Sequence, residues 1–290
     1  MSKIRWFFWC VAGLGLCALA MGFAGVLHPL GDSLAVARTW IAAGGALWLG
    51  LGLALGLGAR RIVAVCYIAL ALAMLPVGIA HLRGEAAGTR SIYQKNMLFV
   101  EKDLRPLAAD IQAALPDVVS LQEVTEANAQ IRHLLRGYPT WEHCAFNRVG
   151  GTAIASRFEA EAGSVICAPG LTAVRLLPPD RAPFWAVSIH LHWPWPYGQG
   201  AHVERLVPLL EGLEGEVVMG GDFNMVPWSA SVRRLARAAG VSRLGRVRPS
   251  FELPVGWVPI DHTFSSEKAR GSTELRPRLG SDHMGVLARY

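Results

Sequence analysis

The stretch Val217-Val218-Met219-Gly220-Gly221-Asp222-Phe223-Asn224 decides the fold. Three large apolar residues running into two glycines and an acid read as a buried strand whose C-terminal end turns polar. Two further segments share this form: Val118-Val119-Ser120-Leu121-Gln122-Glu123, and Ser188-Ile189-His190-Leu191-His192, where His190 and His192 are two apart and so on one face. Around them the pattern predicts strands over 151–156, 184–192 and 216–219, and helices over 103–115, 203–213 and 230–239. Leu104, Leu107, Ala108, Ile111 and Leu115 have amphipathic-helix spacing, and Pro116 ends that helix. Strands interleaved with helices argue for a layered α/β (α+β) sandwich rather than an all-β domain. There is no internal repeat.

The N-terminal part has a different character. The chain of 290 residues is 52% hydrophobic and only 17% charged, which excludes a disordered or coiled-coil chain. Residues 6–27, 39–58 and 62–80 are uncharged runs, each long enough at about 1.5 Å per residue to cross a hydrocarbon core of about 30 Å. Three transmembrane helices within residues 1–82 are expected. A secretory signal peptide is the competing reading of the first run, because Ala18-Leu19-Ala20 resembles a cleavage site, but the apolar run continues past it. Lys3, Arg5, Arg60 and Arg61 then mark the cytoplasmic side. That arrangement puts the loop 28–38 and everything after His81 outside the cytoplasm, as an integral, multi-pass protein of the cytoplasmic (inner) membrane with the membrane lipid bilayer as its partner. The net charge of +6 is mostly topological: residues 1–82 carry five basic side chains against Asp32, leaving a surplus of only two elsewhere. Residues 83–90, with Gly84, Ala86, Ala87 and Gly88, read as a linker, and 91–290 as one domain. Cys10, Cys17 and Cys66 fall in the apolar runs; Cys144 and Cys167 either pair or remain buried thiols.

Strand-end polar groups continue toward the C-terminus with Pro259-Ile260-Asp261-His262 and Gly280-Ser281-Asp282-His283. With Asn96, Leu121-Gln122-Glu123, His190 and Gly221-Asp222-Phe223-Asn224 before them, this ordered set resembles the endonuclease/exonuclease/phosphatase superfamily over 91–290. The resemblance implies a deoxyribonuclease I-like four-layer sandwich and hydrolysis of phosphodiester bonds. It implies Glu123, Asn96 and Asp282 around Mg²⁺ (or Mn²⁺), with Asn96 also able to contact the phosphate. His283 would meet the scissile phosphate, oriented by Asp261, while Asp222 and Asn224 orient water and phosphate. His190 matches the second histidine of the deoxyribonuclease I and sphingomyelinase branches. Independently of the family, phosphoryl transfer favours a hard cation held by carboxylates, because charge grows on the phosphoryl oxygens.

Other histidines read as structural: His192 as a packed or solvent-facing strand residue, His262 as lying on the face opposite Asp261, His133 and His143 as background. The loop Trp193-Pro194-Trp195-Pro196-Tyr197 leaves the active-site end of a strand. Its aromatics, Trp193 first, would stack on a base, sit at a lipid interface, or pack over the sheet edge. Arg233, Arg234, Arg237, Arg243, Arg246 and Arg248 occupy a stretch without acids, either a basic face for nucleic acid or anionic lipid or a merely solvated one. Three readings follow: a membrane-anchored nuclease, an anchored lipid phosphodiesterase, and a non-catalytic membrane-tethered scaffold on the same fold. The intact set of matched polar residues disfavours the last, and no obligate protein partner is evident.

Overall fold

The computed structural model describes residues 3–86, 88–267 and 271–290; Ala87 of the expected linker lies outside them. Three helices open the chain, α1 (Lys3–Met21), α2 (Leu30–Ala54) and α3 (Arg60–Leu82), all long and apolar enough to cross a membrane. The first ends at Met21 rather than Leu27, where Gly22 and Gly25 break it. The second begins at Leu30, within the expected outer loop, and continues through Asp32 and Arg38. Both charges are buried and partnered, so neither ends the helix: Arg38 donates to the Gly22 carbonyl (2.7 Å) and lies over the Phe23 ring (3.9 Å).

The remaining elements are β1 (Ser91–Asn96), α4 (Arg105–Ala114), β2 (Val118–Val124), α5 (Ile131–Leu134), β3 (Thr140–Asn147), β4 (Gly150–Ser156), β5 (Glu159–Ala160), β6 (Ile166–Ala168), β7 (Leu171–Leu177), β8 (Phe184–His190), α6 (Gln199–Glu211), β9 (Glu216–Asp222), α7 (Ala230–Ala238), β10 (Ser242–Arg243), β11 (Phe251–Leu253), β12 (Gly256–Val258), β13 (Asp261–Ser265), β14 (Ser272–Arg276) and β15 (Gly285–Arg289). One sheet has the order β14-β15-β1-β2-β4-β3 and the other β10-β13-β9-β8-β7-β5, with β6 beside β7. They pack face to face over Ile92, Val118, Ile154, Ala186 and Val218. Leu107 and Ile111 of α4 cover the outer face of the first sheet, and Val203, Leu206, Val232 and Leu235 of α6 and α7 cover that of the second. The result is the four-layer α/β/β/α sandwich.

Strand alternation sorts the side chains. Ile92, Gln94 and Asn96 face the opposite sheet while Tyr93 faces α4; Val218, Gly220 and Asp222 do the same on β9. Toward the C-terminal strand ends the inter-sheet core turns from apolar to polar. Thr152 meets Thr172 (2.7 Å), Ser120 meets Ser188 (2.9 Å), and Gln122 donates to both serines. Gly220 permits this approach, since a Cβ there would fall 3.0 Å from Ile92 Cδ1 and 3.2 Å from Ser120 Cβ. A disulfide between Cys144 and Cys167, with Cα atoms 5.4 Å apart, ties β3 to β6 across the two sheets.

The helices and the sandwich form one packed unit. Asp32 of α2 accepts from the backbone N–H of Ala230 (2.7 Å) and Ser231 (2.9 Å) and from the Ser231 hydroxyl. Ser229 Oγ accepts from Val232 N–H and the Val226 carbonyl from Ser229 N–H, so all four orphan donors at the start of α7 are satisfied, two of them by α2. The segments on either side of Ala87 are held down as well: Glu85 accepts from Arg248 (2.9 Å) and from Thr273 N–H (3.0 Å), and Arg90 pairs with Tyr290 through both backbone bonds. Replacing Asp32 by Ala should destabilise the sandwich by about 1–2 kcal/mol. Thermal unfolding in detergent should show this as a lower Tm by roughly 3–8 °C.

Candidate active site

Six elements deliver polar groups to one end of the sandwich. Asn96 ends β1, His190 ends β8 and Asp222 ends β9, each on the inter-sheet face of its strand. Asp261 starts β13 directly opposite Asp222, because β13 runs antiparallel to β9. Glu123 would point toward α4 by alternation. Instead β2 has a register shift between Gln122 and Val124, and Glu123 takes a left-handed backbone (φ 60°), which re-aims its carboxylate toward Asn96. His283 comes from the loop before β15, held by Ser281, whose hydroxyl donates to the Asn96 carbonyl (2.8 Å) and accepts from His283 N–H (3.0 Å).

Asn96 Nδ2 donates to Glu123 Oε1 and to Asp222 Oδ2, both at 3.0 Å, and its Oδ1 accepts from Leu98 N–H. The second Glu123 oxygen accepts from Phe99 N–H (2.8 Å). Asp261 accepts from His283 Nδ1 (2.9 Å) and, on its other oxygen, from Gln94 (2.6 Å). His283 Nε2 and His190 Nε2 each lie 3.7 Å from Asp222 Oδ2. Asn224, in a left-handed conformation (φ 47°), gives its backbone N–H to Asp222 Oδ1 (2.8 Å) and its side-chain amide to the Leu191 carbonyl (2.8 Å). Asp282 is exposed at the rim, where its Oδ1 accepts from the Ser281 hydroxyl (3.4 Å). Trp193 is half-exposed beside the Phe251 ring (5.9 Å), and Phe251 lies against the His283 imidazole (4.6 Å).

Burial and mutual charge set the protonation pattern. Burial pushes the Asp222 carboxyl up to about 7, although the neighbouring His283 charge opposes it. Burial likewise raises Glu123. Burial alone would raise Asp261, but the His283 charge and the hydrogen bonds from His283 and Gln94 hold it below its ordinary value. Burial would lower His283, yet the Asp261 and Asp222 charges carry it up to about 9. His190 is pushed down to about 3 by burial and by His283, so it is neutral. Two desolvated carboxylates, Glu123 and Asp222, therefore converge on a single neutral amide. A hard oxygen-liganded divalent cation fits this donor set; Asp222, Asp261 and His283 also offer ligand-type atoms within 4.8 Å of one another, but Asp261 is already committed to His283 and Gln94.

Gln94, Lys95 and Phe251 join the site without having been singled out in the sequence, and Ser281, quoted within its motif, had been given no role. Lys95 is fully buried, and its ammonium donates to the carbonyls of Arg278 (2.6 Å) and His283 (2.5 Å), fixing the loop that carries the histidine. Only its position next to Asn96 hinted at this. His262 is buried on the opposite face and bonded to the Met225 carbonyl (2.9 Å). His192 lies beyond the end of β8, with its ring against Phe146 (4.9 Å). Of the six arginines, Arg233, Arg234 and Arg237 point outward, whereas Arg243, Arg246 and Arg248 contact backbone and side chains of 80–85 and 273.

This fold and this gathering of carboxylates, asparagines and histidines define a divalent-metal-dependent phosphoesterase class with deoxyribonuclease I-like architecture. The chain belongs to the Endonuclease/Exonuclease/phosphatase family, whose model matches residues 94–283. It is similar to the endonuclease/exonuclease/phosphatase from Beutenbergia cavernae DSM 12333 (19% identity, 69% of this chain and 70% of that chain, TM-score 0.56). It is also similar to that from Bacteroides vulgatus (16% identity, 69% and 97%, TM-score 0.55) and to D. rerio TDP2 complexed with single strand DNA product (20% identity, 69% and 97%, TM-score 0.52). No curated protein matches the sequence.

In the metal-free protein His283 should titrate near 9. Because its folded pKa is raised above the unfolded value, the stability it contributes is fully present below about pH 6.5 and lost as pH rises through the folded value. Asp261→Asn should move the His283 titration down toward or below the ordinary imidazole range, as followed by ¹⁵N-histidine NMR.

Proposed function

We propose that the protein is an integral membrane phosphoesterase that hydrolyses phosphodiester bonds on the extracytoplasmic side of the cytoplasmic membrane. The observation that carries the reading is the single cluster in which Asn96 links Glu123 to Asp222 while Asp261 holds His283. Three membrane-length helices with Lys3, Arg5, Arg60 and Arg61 at one end support the location. The Cys144–Cys167 disulfide supports an oxidising compartment.

Glu123 would hold a divalent cation, Mg²⁺ or Mn²⁺, with Asn96 fixing its carboxylate and Asp282 at the rim, and the bound cation would neutralise charge on the phosphoryl oxygens. Asp222, with a carboxyl poised near neutrality by burial, accepts the proton of the attacking water. Asn224 positions Asp222 through its backbone N–H and orients the phosphate with the rest of its amide. Asp261 accepts from Nδ1 of His283, which leaves Nε2–H to meet the phosphate and to protonate the departing oxygen. Neutral His190 adds a donor or acceptor beside Asp222. The water oxygen bonds to phosphorus, one P–O ester bond breaks, and the leaving oxygen takes up a proton, giving a phosphomonoester and an alcohol. Trp193 borders the mouth and contacts the substrate.

Hydrolysis of bis(p-nitrophenyl) phosphate by the solubilised protein should require Mg²⁺ or Mn²⁺ and stop in EDTA. Glu123→Gln and His283→Ala should each lower kcat by about 10²-fold or more. Full activity in EDTA or in Glu123→Gln would overturn the proposal.

A further inference from the structure

We infer that the substrate is a phospholipid of the leaflet beneath the sandwich, reached because the β11–β12 hairpin dips into that leaflet beside α2. This rests on the phosphoesterase reading above.

Both loops that border the site are fastened to one membrane-crossing helix. Ser33 Oγ of α2 donates to the Trp195 carbonyl (2.9 Å), in the loop that leaves His190. Trp40 Nε1, further along α2, donates to the carbonyl of Val255 (2.8 Å), at the tip of the hairpin whose Phe251 lies on His283. Depth follows from helix arithmetic. From Trp40 to the end of α2 at Ala54 is only about 21 Å at about 1.5 Å per residue, short of the hydrocarbon core of about 30 Å. Trp40, and Val255 held against it, therefore belong within the apolar layer or at its border. Phe251 is four residues from Val255, roughly 13 Å along a strand. The imidazole of His283 thus stands near the headgroup layer, not tens of ångströms above it.

The surface chemistry agrees. Val255 is 64% exposed and Tyr197 71%, and Trp193, Trp195 and Trp257 are exposed around the same mouth. Leu27, in the turn between α1 and α2, is 86% exposed, and the neighbouring His28 ring lies 6.1 Å from that of Trp195. Aliphatic side chains flanked by Trp and Tyr suit the membrane interface. A polynucleotide would want a basic track at the mouth. Arg278, over the Trp257 ring (4.9 Å), is paired with Glu252 (2.5 Å), and Arg243, Arg246 and Arg248 contact the 80–85 segment or its neighbours.

The test uses the full chain in vesicles of phosphatidylethanolamine and phosphatidylglycerol. With Cys10, Cys17 and Cys66 changed to Ala, an NBD label on Val255→Cys should be quenched by acyl-chain spin-labelled lipid several-fold more than one on Asp180→Cys, at the opposite end of β8 from His190. In the otherwise native chain, Val255→Asp should lower hydrolysis of ³²P-labelled vesicle phospholipid at least tenfold and leave bis(p-nitrophenyl) phosphate hydrolysis within twofold. Equal quenching at the two positions overturns the membrane seat. Cleavage of the soluble diester or of single-stranded DNA without cleavage of the phospholipid overturns the substrate class. If even the soluble diester is untouched, the phosphoesterase reading falls and the substrate class with it, while quenching still decides the seat of the hairpin.

Discussion

The two sheets are joined at their functional end by hydrogen bonds instead of hydrocarbon, and the arrangement of the site depends on that polar seam. Gln94, Ser120, Gln122, Thr152, Thr172 and Ser188 have essentially no solvent exposure. Left unpaired, each such group would cost about 1–3 kcal/mol. Paired, they lock one sheet against the other in a single register, since the bonds run Thr152 to Thr172 and Ser120 to Ser188 across the interface. Gln94 carries the chain of bonds onward to Asp261, and Asp261 to His283. The site is divided in the same way: Asn96, Glu123 and His283 come with the first sheet, His190, Asp222 and Asp261 with the second. A slip between sheets would separate Asn96 from Asp222 and His283 from Asp261.

Electrostatics then separates the buried acids. Asp261, matched by the His283 charge, stays ionised, while Asp222 beside it is lifted toward neutrality by the same burial. Neighbouring carboxylates with pKa values driven apart can take different parts in proton transfer. Glu123 has no basic side chain bonded to it among the described residues, only amides. Its desolvation is the part of the site that a cation would relieve.

Much of this was legible in the sequence where chemistry and periodicity coincide. The strand ends at Glu123, His190 and Asp222, the stripe of α7 and the Asp261–His283 pairing follow from alternation, spacing and the family resemblance. What was not legible depends on contacts between distant segments. Hydropathy placed the start of α2 at Thr39 because it counts Asp32 and Arg38 as breaks and cannot see that α7 and Gly22 satisfy them. The aim of the Glu123 carboxylate depends on a bulge with positive φ, which a period of two does not reveal. Lys95 reads as an ordinary strand lysine until the loop carbonyls of Arg278 and His283 close over it. The arginine stretch looked like one surface feature, and half of it is structural.

The histidine and aspartate chemistry proposed above would depend on a cation held by Glu123 and its neighbours. Titration of Mn²⁺ into the solubilised full chain, with the free ion followed by EPR, tests that dependence at its origin. The native chain should remove Mn²⁺ from solution, Mg²⁺ should compete, and Glu123→Gln should abolish the binding while the fold, read by circular dichroism, is kept. Undiminished Mn²⁺ binding by a folded Glu123→Gln, or none by the native chain, would rule out a cation site at Glu123.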